Sequence, residues 1–195
     1  MFKKSYFIPV FILFVLAMSC GETPTPKPKA YLRLSYPEAQ YSTVNLDVPF
    51  TFQKNNFSNH VGLKKMPGLD NYGVNIEYSN LKGTIYLTYK SINEDSKNLI
   101  EYIKDAQNFT QKHTIKADEI AEQVYINNER KVYGMFYEVG GNAASQSQFY
   151  VTDSVKHFLT GSLYFYAKPN YDSIFPAAKY LEKDIKHIME TVNWK

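Results

Sequence analysis

Residues 131–139 read KVYGMFYEV, residues 147–154 read SQFYVTDS, and residues 157–167 read HFLTGSLYFYA. These three runs decide the fold. Each is dense in Tyr, Phe, Val and Leu, residue types that suit a pleated, half-buried surface. Short polar stretches separate them, so they read as consecutive strands. Asp153 falls between the last two, where an Asp bonds locally to turn backbone. Gly161 interrupts the third run and is expected to mark a bulge. One step upstream, residues 120–126 form another strand, joined through the turn Asn127-Asn128-Glu129-Arg130.

Working outward, residues 72–78 alternate so that Tyr72, Val74, Ile76 and Tyr78 face one way, and TIYLTYKSI (84–92) follows after a short connection. The two runs predict a hairpin. From Ser96, read as an N-cap, to about Lys112, residues Leu99, Ile100, Ile103, Ala106 and Phe109 or Thr110 recur at helical spacing. That stripe predicts a helix covering a sheet. A second helix runs from about Phe175 to Thr191, with Pro176 near its first turn, where the missing N–H costs little. Its inner side carries Ala177, Leu181, Ile185, Ile188 and Val192, and Trp194 packs beneath the sheet. Nearer the N-terminus, residues 31–47 read as an irregular lead-in, 48–52 as a first strand entered at Pro49, and 55–71 as a loop with the turn signal Pro67-Gly68. Strands and returning helices in this order predict an α+β fold, an antiparallel sheet with helices packed on it.

The first residues are of another kind. Lys3 and Lys4 precede an apolar run from Tyr6 to Met18, which ends in Ala17-Met18-Ser19-Cys20. Charge, apolar core and small residues in this order make a cleaved signal peptide. The run is short of the roughly 20 residues a transmembrane helix needs. Cys20, the one Cys in the chain, stands where a lipoprotein is cut and acylated, although Ala17 occupies a position where Leu is commonest. Acyl chains such as palmitate on Cys20 bury CH₂ groups worth about 0.8 kcal/mol each, so several together anchor stably. Residues 1–19 are therefore read as leader, 20–30 (CGETPTPKPKA) as acylated Cys and Pro-rich tether, and 31–195 as one globular domain. With Cys20 acylated, the domain has no thiol for disulfide, metal or nucleophile.

Composition excludes more than it identifies. The formal charge is +3, and two of the 22 basic residues lie in the leader with no acidic ones. The mature domain is close to neutral, which leaves no electrostatic footprint for nucleic acid. The sequence has 17 Tyr and 13 Phe, enough for a strand-rich core or for an aromatic binding face. Its four His lack metal-ligand spacing, so no metal and no cofactor is expected. His187, among Lys183, Asp184 and Lys186, reads as a solvated helix residue, and His157 reads the same way. GxSxG, P-loop and GxGxxG patterns do not occur. Asp118, Glu119 and Glu122 read as a solvated cluster without a partner for acid–base work.

Long segments carry a resemblance. LKGTIYLTYK (81–90), LIEYIKDAQNFTQKHTIKADEI (99–120) and VYGMFYEVGGNAASQSQFYVTDSVKHFLTGSLYFY (132–166) look like the GldD family of gliding-motility lipoproteins from Bacteroidetes, and PKAYLRLSYPEAQY (28–41) fits as well. The resemblance implies an envelope lipoprotein required for gliding that works with the motility machinery and the linked type IX secretion apparatus. It brings no catalytic motif. The general layout is similar to PsbP-like α/β/α sandwiches, a fold analogy only.

Two stretches are candidates for partner binding. GGNAASQSQ (140–148) reads as an uncharged loop on a rigid scaffold, with Asn142, Ser145 and Gln146 touching a partner. The Tyr-rich residues 31–41 read as an arm packed on the domain or as a strap for a partner. Three functions follow. The favoured one is a non-enzymatic accessory component that binds gliding or secretion proteins from a lipid anchor, outer-membrane and periplasmic-facing. The alternatives are a periplasmic small-ligand or glycan binder, signalled by a large apolar pocket, and a glycan hydrolase, signalled by two carboxyls in one cleft.

Overall fold

Alternating strands build the sheet that the sequence predicts. The computed structural model describes residues 34–68, 70–111, 117–166 and 171–195, all within one compact unit, Tyr31–Lys195. Ten strands are described: β1 (Tyr41–Val44), β2 (Phe50–Asn55), β3 (His60–Lys65), β4 (Tyr72–Tyr78), β5 (Gly83–Ser91), β6 (Ala117–Asn127), β7 (Val132–Gly141), β8 (Ser145–Thr152), β9 (His157–Phe165) and β10 (Asn193–Trp194). The helices are α1 (Ser96–Gln111) and α2 (Tyr171–Thr191). Seven strands pair in the order β3-β4-β5-β9-β8-β7-β6, and β1-β2-β10 form a smaller sheet. Every pairing is antiparallel. The fold is α+β, with helices against an antiparallel sheet.

The two helices cover opposite faces. Leu181, Ile185, Ile188 and Met189 of α2 join Phe50 and Phe52 of β2 in the main core, over Val74, Ile76, Ile85, Leu87, Phe136, Val151, Leu159 and Leu163. On the other face Leu99, Tyr102, Ile103 and Ala106 of α1 pack on Tyr137, Tyr150, Phe158 and Ile92. β8 lies between them and is buried along its whole length. Close approach there depends on Gly161, where a Cβ would stand 2.1 Å from the Phe149 ring.

A polar cluster fastens the lead-in to α2. Asp184 is fully buried (0 % exposed). Its Oδ1 accepts from the Tyr41 hydroxyl at 2.9 Å, and its Oδ2 from Asn55 Nδ2 at 3.0 Å. Asn55 Nδ2 also donates to the Tyr180 hydroxyl, which in turn donates to the Pro37 carbonyl. The Tyr41 ring stacks on His187 at 3.6 Å, and Tyr36 stacks on Tyr180 at 4.8 Å. Burial raises the Asp184 carboxyl above its ordinary value, against the lowering effect of these hydrogen bonds. Tyr36 and Tyr41 thus belong to an arm packed on the domain.

Several local expectations are corrected. Residues 55–71 include β3, a solvated edge strand whose HVGLKK shows no alternation to read. Tyr41–Val44 is a strand within the lead-in. Asp95 caps α1 through its Oδ1, which accepts the Lys97 N–H at 2.9 Å, and Ser96 is already helical. Ile100 and Phe109 are exposed because α1 rests on a narrower strip of sheet than its apolar stripe suggests. The register slip lies between Ser145 and Gln148, opposite Tyr164 and Ser162, and not at Gly161. His187 is half-buried and meets Gln53 Oε1 at 2.9 Å. His157 Nδ1 lies 2.7 Å from the Tyr89 hydroxyl, and its ring stacks on Trp194 at 5.0 Å. Asp153 does bond locally: its Oδ1 accepts the N–H groups of Val155, Lys156 and His157.

Asp184→Ala strands Asn55 in a buried site and frees Tyr41, so it is expected to cost about 1–3 kcal/mol in urea unfolding. Desolvation lowers both His157 and His187 below their ordinary 6.5. Their stabilising effect is present above that value and lost as pH falls through the depressed ones. Asp184 has the opposite sign, its effect being lost as pH rises through its raised value. The histidine contribution to the unfolding midpoint is therefore expected to decline as pH drops from about 7 to 5, and a His157→Gln/His187→Gln variant is expected to remove that decline.

Candidate functional site

Strands β5, β9 and β8 carry large or polar side chains on both of their faces. Ile85, Leu87, Leu159 and Leu163 enter the main core, while Tyr86, Thr88, Thr160, Ser162 and Tyr164 point to the α1 side. Helix α1 covers that second face only in part. A cleft of about 330 Å³ remains between its C-terminal half and the sheet, with Tyr102, Ala106, Phe109 and Thr110 as the helix wall. That volume falls in the range of small-molecule sites, which lie at roughly 300–1,000 Å³.

The extra residue in β8 sets the chemistry of the cleft floor. Across the slip at 145–148, Gln148 turns toward α1 and lines the cleft, whereas Gln146 turns toward α2. A bulge that re-aims a side chain in this way is a common device beside functional sites. Gln148 is 3 % exposed. Its Oε1 lies 3.1 Å from the Thr110 hydroxyl, which is also 3.2 Å from the Ala106 carbonyl. Its Nε2 has no partner among the described residues.

Charge in the cleft is balanced and peripheral. Lys90 Nζ lies 3.9 Å from Asp105 Oδ2 and 4.5 Å from the centre of the Tyr102 ring. The Tyr86 phenol is pushed up to about 12, first by its 2.6 Å hydrogen bond to the Tyr166 hydroxyl and then by burial. Burial also raises Tyr137 to about 12 and lifts Tyr102, Tyr150 and Tyr164. These phenols stay protonated at neutral pH. The lining can therefore stack on a ligand and exchange neutral hydrogen bonds with it.

The residues singled out in 140–148 do not sit together on an exposed loop. β7 continues to Gly141 and β8 starts at Ser145, leaving Asn142 exposed in a short link. Ser145 is 0 % exposed, with its hydroxyl on the Ser147 carbonyl. Gln146 is 4 % exposed and donates to the Ala143 carbonyl at 2.7 Å. Cys20 and His113 lie outside the described residues. Among those described, no group of His, Asp or Glu side chains is placed to hold a metal ion. Sequence reasoning missed Gln148, Thr110, Tyr86 and Tyr164. The available signal was that both parities of 84–92 and 157–166 carry Tyr, Leu, Thr or Ile, which marks strands covered on both sides.

Residues 21–194 match the family model described as Gliding motility lipoprotein GldD. The chain belongs to the GldD family. No curated protein matches it. GldD membership gives the chain a role in gliding motility and a membrane-anchored place in the envelope. The matched span takes in the whole sheet, both helices and the aromatic cleft, so these are parts of the GldD domain itself.

Thr110→Val removes the one hydrogen-bond partner that the Gln148 amide has among the described residues. It is expected to lower stability by about 1–3 kcal/mol, the cost of leaving a buried polar group unpaired, as read by chemical denaturation.

Proposed function

We propose that this lipoprotein is a non-enzymatic accessory component of the gliding and type IX secretion machinery. In this reading, acylated Cys20 holds it on the periplasmic side of the outer membrane, and the domain works by binding other envelope proteins. The observation that supports it is the free edge of the large sheet. β6 has 11 residues and, among the described residues, pairs with β7 alone. Val124 and Ile126 on its α1 side are each 64 % exposed, and their cross-strand neighbours are Met135 and Tyr133. A long edge with exposed β-branched side chains invites strand addition unless something covers it. The opposite edge, β3, ends in the exposed Lys64 and Lys65, which blunt it.

The occupant that suits β6 is an extended segment of an envelope partner. Backbone bonds would supply its affinity, and alternate side chains its selectivity. Its apolar residues would lie beside Val124 and Ile126. Basic residues would lie toward the exposed Glu119 and Glu122. Tethering near the membrane raises the local concentration of such a segment, so modest intrinsic affinity suffices.

Crosslinking pull-downs from intact gliding cells test this reading. Motility or secretion proteins are expected with the native chain. They should be lost with Val124→Lys/Ile126→Glu and reduced with Cys20→Ala, while a folded Val155→Lys control keeps them. Unchanged recovery and gliding with the folded β6 variant would count against the proposal.

A further inference from the structure

The cleft beneath α1 carries a second reading, independent of the β6 edge. We infer that it is a binding site for a neutral carbohydrate, stacked on Tyr86, Tyr102 and Tyr164 and hydrogen-bonded at its floor to Gln148. Three observations on the lining select that class.

The first is the Gln148 amide. The Thr110 hydroxyl has one proton and stands near two acceptors, Ala106 O and Gln148 Oε1. The Gln148 Oε1 meets that hydroxyl at 3.1 Å, and its Nε2, on a side chain only 3 % exposed, has no partner among the described residues. A ligand hydroxyl can accept from that N–H. A purely apolar ligand would leave that atom unpaired at a cost.

The second is the balance of walls and floor. Tyr86 and Tyr164 meet edge to face at 5.8 Å, and Tyr102 lines the helix side of the cleft. Sugar rings present C–H faces to such aromatic surfaces and hydroxyls at their rims. Thr88, Thr160 and Ser162 supply a row of neutral donors and acceptors between the rings. The third is charge. Among the described residues the lining has one cation and one anion, Lys90 and Asp105, 3.9 Å apart. An ionic ligand would find no free counter-charge among those residues. A neutral sugar needs none.

Neutral pyranose chemistry could come from the acetamido sugars of cell-wall glycan or from plain hexoses of other polysaccharides. Titration of the full domain with N,N′-diacetylchitobiose, cellobiose and maltose, followed by calorimetry and saturation-transfer NMR, separates the two sources. At least one disaccharide is expected to bind saturably with a Kd on the order of 1 mM or tighter. Gln148→Leu and the partly exposed Tyr86→Ala are each expected to weaken it tenfold or more, and Tyr133→Ala, outside the cleft, to leave it unchanged. Tyr86→Ala keeps the test open if Gln148→Leu fails to fold. Absence of saturable binding by all three sugars overturns the inference. So does binding that the folded Tyr86→Ala chain retains, or uptake of an acyl chain in place of sugar.

Discussion

Two-sided burial of β8 is the constraint from which the rest of the architecture follows. A strand covered on both faces must have every backbone group paired and both sets of side chains packed. Its neighbours β7 and β9 do the pairing. Helix α2 and the small sheet complete one face, and α1 begins the other. The sheet can afford only one irregularity along this strand, and it comes at the start, where the slip between Ser145 and Gln148 sends two glutamines to opposite faces. The position of that slip creates the polar floor of the cleft.

The second structural commitment is the buried carboxylate. Asp184 is costly to desolvate, and its acceptors are met by groups far away in sequence, Tyr41 and Asn55. It therefore orders the N-terminal arm and gives α2 one position against β1 and β2.

Much of this was legible in the sequence, and the reasons are physical. Strands 72–78, 84–92 and the runs between 131 and 167 alternate or carry dense apolar content, and the structure places strands there. The β3 edge strand was not legible because only Val61 reaches the main core and the rest of HVGLKK is too exposed to alternate. His187 read as solvated because it sits among charges on the helix, and nothing in the sequence singled out Asp184. Their true partners, Tyr41, Asn55 and Gln53, are more than a hundred residues away. The 140–148 stretch read as a loop because small polar residues usually mark one. Here Ser145 and Gln146 are small enough, or bonded enough, to be buried at the start of a central strand. The expectation of a lipoprotein came from the order of charge, apolar run and Cys20, and the family match agrees with a lipoprotein.

Native-state amide hydrogen exchange tests the account most directly, because it separates the rigid frame from the surfaces offered to partners. The β8 amides are expected to exchange only through global unfolding. Along β6, amides bonded to β7 should be protected and the alternate, outward-facing ones should exchange quickly. Early exchange throughout β8, or uniform protection along β6 in the isolated domain, would contradict it.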